Sequence, residues 1–142
     1  MIINGGNGSM FISIHSADGY FSVDGTPSGD DQLFIDSIGA NSNISPINLG
    51  AGNDSIIVSV ASESLQIEGD DGSDLISVNS ASGDLTIDGG SGADQIYLGT
   101  TTVTIVGSGT VSQNGSIWTI GEDSIFGLTA NDSIVNAGTN LY

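Results

Sequence analysis

The chain has 142 residues, enough for one domain, and combines 17 acidic residues with no lysine and no arginine, for a formal charge of −17. That balance excludes binding to nucleic-acid phosphates and to anionic membrane surfaces, and points instead to metal ions or basic partners. With no lysine or arginine for salt bridges and no cysteine for disulfides, the fold needs another staple, and a structural metal is the common one.

The opening MIINGGNGSM has no basic stretch followed by a long apolar run, so no Sec-type signal peptide is expected, and no segment is long and apolar enough to span a bilayer. A first coil opens with Gly5-GNGSMFI-Ser13 and a second with Gly25-TPSGDDQLFI-Asp36. The next three open with Leu49-GAGNDSI-Ile57, Gly69-DDGSDLI-Ser77 and Gly89-GSGADQI-Tyr97, and share Gly-x-Asp-x-Ile, preceded in the first and third by a further Gly two residues earlier. Their aspartates, Asp54, Asp74 and Asp94, recur every 20 residues, and a fixed period of that size marks a solenoid. Asp31 precedes Asp54 by 23 residues, and a longer, less regular loop is expected in that second coil, which holds both Pro27 and Pro46.

Each unit holds two short stretches of period-two alternation. One follows the aspartate: Ile12/Ile14, Leu33/Ile35, Ile56/Val58/Val60, Ile76/Val78 and Ile96/Leu98. The other comes half a coil later: Phe21/Val23, Leu65/Ile67, Leu85/Ile87 and Val103/Ile105. Such runs, bounded by Gly, Ser, Asn and Asp, read as strands with one buried face, and no segment has helical spacing. The predicted fold is all-β: a parallel β-roll, or β-solenoid, of about six coils of about 20 residues, stacked about 4.8 Å apart. Ile87 over Ile67 and Ile96 over Ile76 form interior ladders. A sixth coil is expected to open with Gly107-SGTV-Ser112, so that residues 1–111 make the roll and residues 112–142, with Trp118 and Phe126, an irregular last coil and cap.

The Gly-Asp turns carry the chemistry. Glycine permits positive φ and close approach of neighbouring backbones, so carbonyls point into the gap between coils, where an aspartate two residues after the second glycine also reaches. Oxygen-only donors suit a hard cation, Ca²⁺ above all. Stacked carboxylates about 5 Å apart repel by about 3 kcal/mol per pair at an effective dielectric of about 20, so the column opposes stacking without a cation and staples it with one. Folding coupled to ion binding follows.

Gly89-Gly90-Ser91-Gly92-Ala93-Asp94-Gln95-Ile96-Tyr97 resembles, without a mismatch, the RTX (hemolysin-type) calcium repeat G-G-x-G-x-D-x-U-x. Residues 69–77 miss only the second glycine and residues 49–57 only the first, while residues 28–34 fit loosely through Gly29, Asp31 and Leu33; the likeness is strong over about residues 25–98. It implies Ca²⁺ between successive turns, held by Asp31, Asp54, Asp74 and Asp94 with carbonyls around Gly29, Gly52, Gly72 and Gly92; Asp70 and Asp71 join this candidate set. It also implies type I secretion, read from a C-terminal signal. The opposite turns lack the motif, so one column of up to three ions is expected, ended by Met10 and Val111 where the aspartate belongs.

A second acidic row, Asp24, Glu68 and Asp88 with Asn48, reads as solvated strand ends; Asp123 and Asp132 read as capping turns and His15 as a surface residue. No nucleophile–base pair is identifiable, and sugar lyase chemistry has no lysine or arginine and only one histidine to draw on, so an enzyme is not expected, nor a small-molecule substrate. The expected function is a secreted, calcium-stapled structural protein: a matrix, surface-layer or adhesive-fibre subunit forming homo-oligomers or fibres by end-to-end stacking. Two alternatives are a secretion and folding module of a larger type I-secreted enzyme, and an ice-binding adhesin segment, although the outward column Ser22, Ser45, Gln66, Thr86, Thr104 is mixed rather than all threonine.

Overall fold

A computed structural model describes residues 1–100, 103–107, 111–114, 117–120, 123–126 and 133–136. Among these there are strands and turns and no helix, as the period-two alternation predicts. The strands are β1 (Ile2–Asn4), β2 (Phe11–Ile14), β3 (Tyr20–Thr26), β4 (Gln32–Ile38), β5 (Asn43–Gly50), β6 (Ser55–Ala61), β7 (Leu65–Glu68) and β8 (Leu75–Ser80). They continue with β9 (Leu85–Asp88), β10 (Gln95–Thr100), β11 (Val103–Gly107), β12 (Val111–Asn114), β13 (Ile117–Ile120), β14 (Asp123–Phe126) and β15 (Ser133–Asn136).

The chain winds as a β-solenoid, alternating between two sheets. One sheet runs β1-β3-β5-β7-β9-β11-β15, parallel throughout; the other runs β2-β4-β6-β8-β10-β14-β13-β12. About five regular turns, from β2 to β11, carry the repeat. Ile56, Ile76 and Ile96 stack in register with no solvent exposure, and so do Ile47, Ile67 and Ile87, forming the expected interior ladders. Core burial of these ladders is the main apolar driving force, since each buried Ile contributes about 1.5–3 kcal/mol.

Three details differ from the sequence expectation. Val60 is 43% exposed and Ala61 takes its inward place, because the strand bends at the coil corner; β4 breaks its alternation in the same way, with Ile35 and then Ile38 buried. The extra residues between Asp31 and Asp54 fall in the second coil, as expected, but on its far side and only partly in a loop. Two lengthen the turn before β5, and one forms a bulge where Phe21 pairs Ile44 but Val23 pairs Ile47. Pro46 sits in that bulge, where its missing N–H costs no ladder bond.

The third difference lies after β11. Val111 does not continue the aspartate column: β12 and β13 form an antiparallel hairpin, and β13 pairs antiparallel with β14. β14 returns parallel to β10, pairing Gln95 with Ser124 and Ile96 with Ile125, which puts Asp123 one step beyond Asp94. β15 then lies parallel to β11, so the winding resumes after the hairpin. Asp132 lies outside the described residues.

Candidate metal centre

At each Gly-Asp turn the glycine is a steric necessity. Gly29, Gly52, Gly72 and Gly92 all have positive φ, between 126° and 152°. A Cβ on Gly72 would lie 1.5 Å from the Gly52 carbonyl oxygen, and one on Gly92 would lie 1.6 Å from that of Gly72. The predicted glycine carbonyls therefore stack along the roll axis, each aimed at the next coil's glycine.

The four predicted aspartates come together in one column, between 0% and 2% exposed. They are linked by a ladder the spacing alone does not reveal: each carboxylate caps a backbone N–H of the preceding coil. Met10 N–H donates to Asp31 Oδ1 at 2.7 Å and Asp31 N–H to Asp54 Oδ1 at 2.7 Å. Asp54 N–H donates to Asp74 Oδ1 at 2.8 Å and Asp74 N–H to Asp94 Oδ1 at 2.8 Å. Asp31 Oδ2 also accepts Thr26 N–H at 2.8 Å. Charge-assisted bonds of this kind are about twice as strong as neutral ones.

One oxygen of Asp54, Asp74 and Asp94, and both of Asp31, are thus committed to the backbone. The Oδ2 atoms of Asp54 and Asp74 are buried and accept no hydrogen bond. At Gly69, the position of an added Cβ is 2.4 Å from Asp74 Oδ2 and 2.3 Å from the Gly89 carbonyl oxygen, so two electron-rich oxygens converge on a cradle that only glycine leaves open. Among the described residues no group of three or more acidic, histidine or cysteine side chains is placed to hold a metal ion, so any cation here would need backbone carbonyls beside the carboxylates. Such an oxygen-only set fits Ca²⁺ and does not suit a soft, thiolate-seeking metal.

The remaining candidates lie elsewhere. Asp70 and Asp71 are exposed on the outside of their turn: Asp70 accepts from Asn48 Nδ2 at 2.8 Å, and Asp71 from the Ser91 hydroxyl at 2.6 Å. Asp70 has a φ of 70°, where a non-glycine residue is uncommon. Asp24, Asn48, Glu68 and Asp88 do align, at the partly solvated strand ends. His15 is exposed and pairs Asp36 at 2.8 Å.

Sequence reasoning missed a second side-chain ladder one residue before the aspartates. Asn53 N–H donates to Asp30 Oδ1 at 2.8 Å, Ser73 N–H to Asn53 Oδ1 at 3.0 Å, and Ala93 N–H to Ser73 Oγ at 3.4 Å. It runs opposite to the first, each later coil donating to the earlier one. Its sequence signal was the row of short polar side chains Asp30, Asn53 and Ser73.

Burial pushes the Asp74 carboxyl up to about 7, opposed by the Asp54 N–H and reinforced by the charges of Asp94, Asp54 and Asp70. Burial likewise lifts Asp54 to about 6, opposed by the Asp31 N–H and reinforced by Asp31, Asp30 and Asp70. The folded chain therefore holds these protons more tightly than the unfolded chain, whose carboxyls titrate near 3.8. This contribution to stability is full below that value and is lost as pH rises through about 6 and 7. In chelator, the β signal is accordingly expected to be stronger at about pH 5 than at about pH 8; a signal that strengthens with pH would contradict the buried, uncompensated column.

No protein-family model, no curated protein and no solved structure matches the chain. The class of protein is defined by the fold alone, a β-solenoid, and its function is argued from the column.

Proposed function

We propose that this chain is a calcium-stapled structural protein of the extracellular space, a matrix, surface-layer or adhesive-fibre subunit that associates end to end. The supporting observation is the buried carboxylate column, with unpartnered oxygens at Asp54 and Asp74, in a chain with no lysine or arginine to neutralise it. Asp31, Asp54, Asp74 and Asp94 supply the charge, with carbonyls from the glycine turns. A bound Ca²⁺ supplies charge neutralisation between coils, turning a repulsive stack into a cohesive one.

Circular dichroism of the chain in EDTA, followed by titration with Ca²⁺, tests this. The β signal is expected to be weak in chelator at about pH 8 and to grow to saturation with Ca²⁺. A β spectrum of equal strength in both conditions would remove the ion-coupled reading.

A further inference from the structure

We infer that Asp31, although it stands in the column, holds no ion: its coil is closed by the chain's own backbone, and ion binding starts at Asp54. The inference rests on the calcium staple proposed above and narrows which of the four aspartates are its ligands.

The turn that leads into Asp31 is built differently from the three that follow. Asp24, Asn48, Glu68 and Asp88 share one register across their sheet, so Thr26, Gly50, Asp70 and Gly90, two residues further on, are equivalent. In the later coils the aspartate comes four positions after this residue: Asp54 after Gly50, Asp74 after Asp70, Asp94 after Gly90. Asp31 comes five positions after Thr26, with Pro27 directly behind the threonine. This turn therefore carries one extra residue.

The backbone differs at the same place. Gly50, Asp70 and Gly90 are left-handed, with φ of 88°, 70° and 94°. Asp70 is the one non-glycine residue with positive φ among the described residues, so Thr26 keeps the extended conformation of β3. From there its N–H donates to Asp31 Oδ2 at 2.8 Å and its hydroxyl to Oδ1 at 3.3 Å. In Asp54 and Asp74 the Oδ2 atom is buried and accepts no hydrogen bond.

These bonds use up the carboxylate. With Met10 N–H at 2.7 Å, Asp31 accepts three donors, and an ionised carboxylate has about four lone-pair sites. A bonded proton lies about 1.9–2.0 Å from its acceptor and Ca²⁺ about 2.3–2.6 Å from a ligand oxygen, so Thr26 N–H and an ion compete for Oδ2. Asp31 has no solvent exposure, and its charge is met by these donors rather than by a cation.

The test counts the Ca²⁺ ions bound per chain by isothermal titration calorimetry at about pH 8, the pH already set for the Ca²⁺ titration. Asp31→Asn is expected to keep the wild-type count, whereas Asp54→Asn and Asp74→Asn each lose at least one ion. Asp31→Asn also removes a buried acceptor and can unfold the chain, so the wild-type chain supplies a second reading. A scalar coupling across the hydrogen bond, from the Thr26 amide nitrogen to the Asp31 carboxyl carbon, is expected in saturating Ca²⁺. Three results overturn this inference alone: an ion lost by Asp31→Asn in a chain still ordered by Ca²⁺, an unchanged count in Asp54→Asn, or no such coupling in the Ca²⁺-ordered wild type. A wild-type chain that binds no Ca²⁺ sinks the staple and this inference together.

Discussion

Asp74→Asn is expected to stabilise the chain in chelator at about pH 8 and to destabilise it in Ca²⁺. The carboxamide oxygen can still accept Asp54 N–H, the bond that Asp74 Oδ1 makes at 2.8 Å. Its amide nitrogen replaces the unpartnered Oδ2 close to the Gly89 carbonyl, where a donor is welcome. Removing one charge from a column of four relieves its repulsion with both neighbours, up to about 3 kcal/mol per pair at an effective dielectric of about 20. In Ca²⁺ the sign reverses because a ligand is gone. With the ion at about 100 times its dissociation constant, each lost site costs about 2.7 kcal/mol. The β signal in chelator and urea denaturation in Ca²⁺ measure the two halves. If the variant and the wild-type chain respond to Ca²⁺ identically, Asp74 is not an ion ligand.

Gly72→Ala is expected to be the most damaging of the small substitutions in the turns, costing about 3 kcal/mol or more in Ca²⁺. The new methyl would lie 1.5 Å from the Gly52 carbonyl oxygen, and the backbone φ of 152° is one that side chains rarely adopt. Relief requires the two coils to separate, which also lengthens the Asp54–Asp74 hydrogen bond. Gly6→Ala is the matched control, since nothing lies within 4 Å of its added methyl, and it should stay within about 0.5 kcal/mol of the wild-type chain. Equal thermal midpoints for the two variants would show that the stacked carbonyls do not constrain the turn.

The parts of the fold that were legible from sequence are those that repeat at a constant interval. Asp54, Asp74 and Asp94 at 20-residue spacing gave the register, and the Ile and Leu pairs gave the buried face. Where insertions break the interval, counting residues fails. The hairpin β12–β13 displaces the next in-register aspartate to Asp123, so Val111, which lies nearer the expected spacing, was the wrong residue to read as the end of the column. Pro46 was visible as an irregularity but not as a strand bulge, because only its partner across the sheet reveals that.

The site was legible to a similar depth. Spacing placed Asp31, Asp54, Asp74 and Asp94 in one column, but it cannot say which oxygen of each carboxylate faces a backbone N–H. Nor could it separate Asp70 and Asp71 from the column, since the turn's backbone path, which spacing does not give, turns both side chains outward.

The two side-chain ladders run in opposite directions, so the face a turn shows to the coil before it complements the face it shows to the coil after it. A length of chain such as residues 69–88 therefore carries matching upper and lower surfaces. Tandem duplication of that stretch would insert a whole layer without rewiring its neighbours, lengthening the molecule by about 4.8 Å. Size in such a protein is a quantity that gene duplication can adjust in single steps.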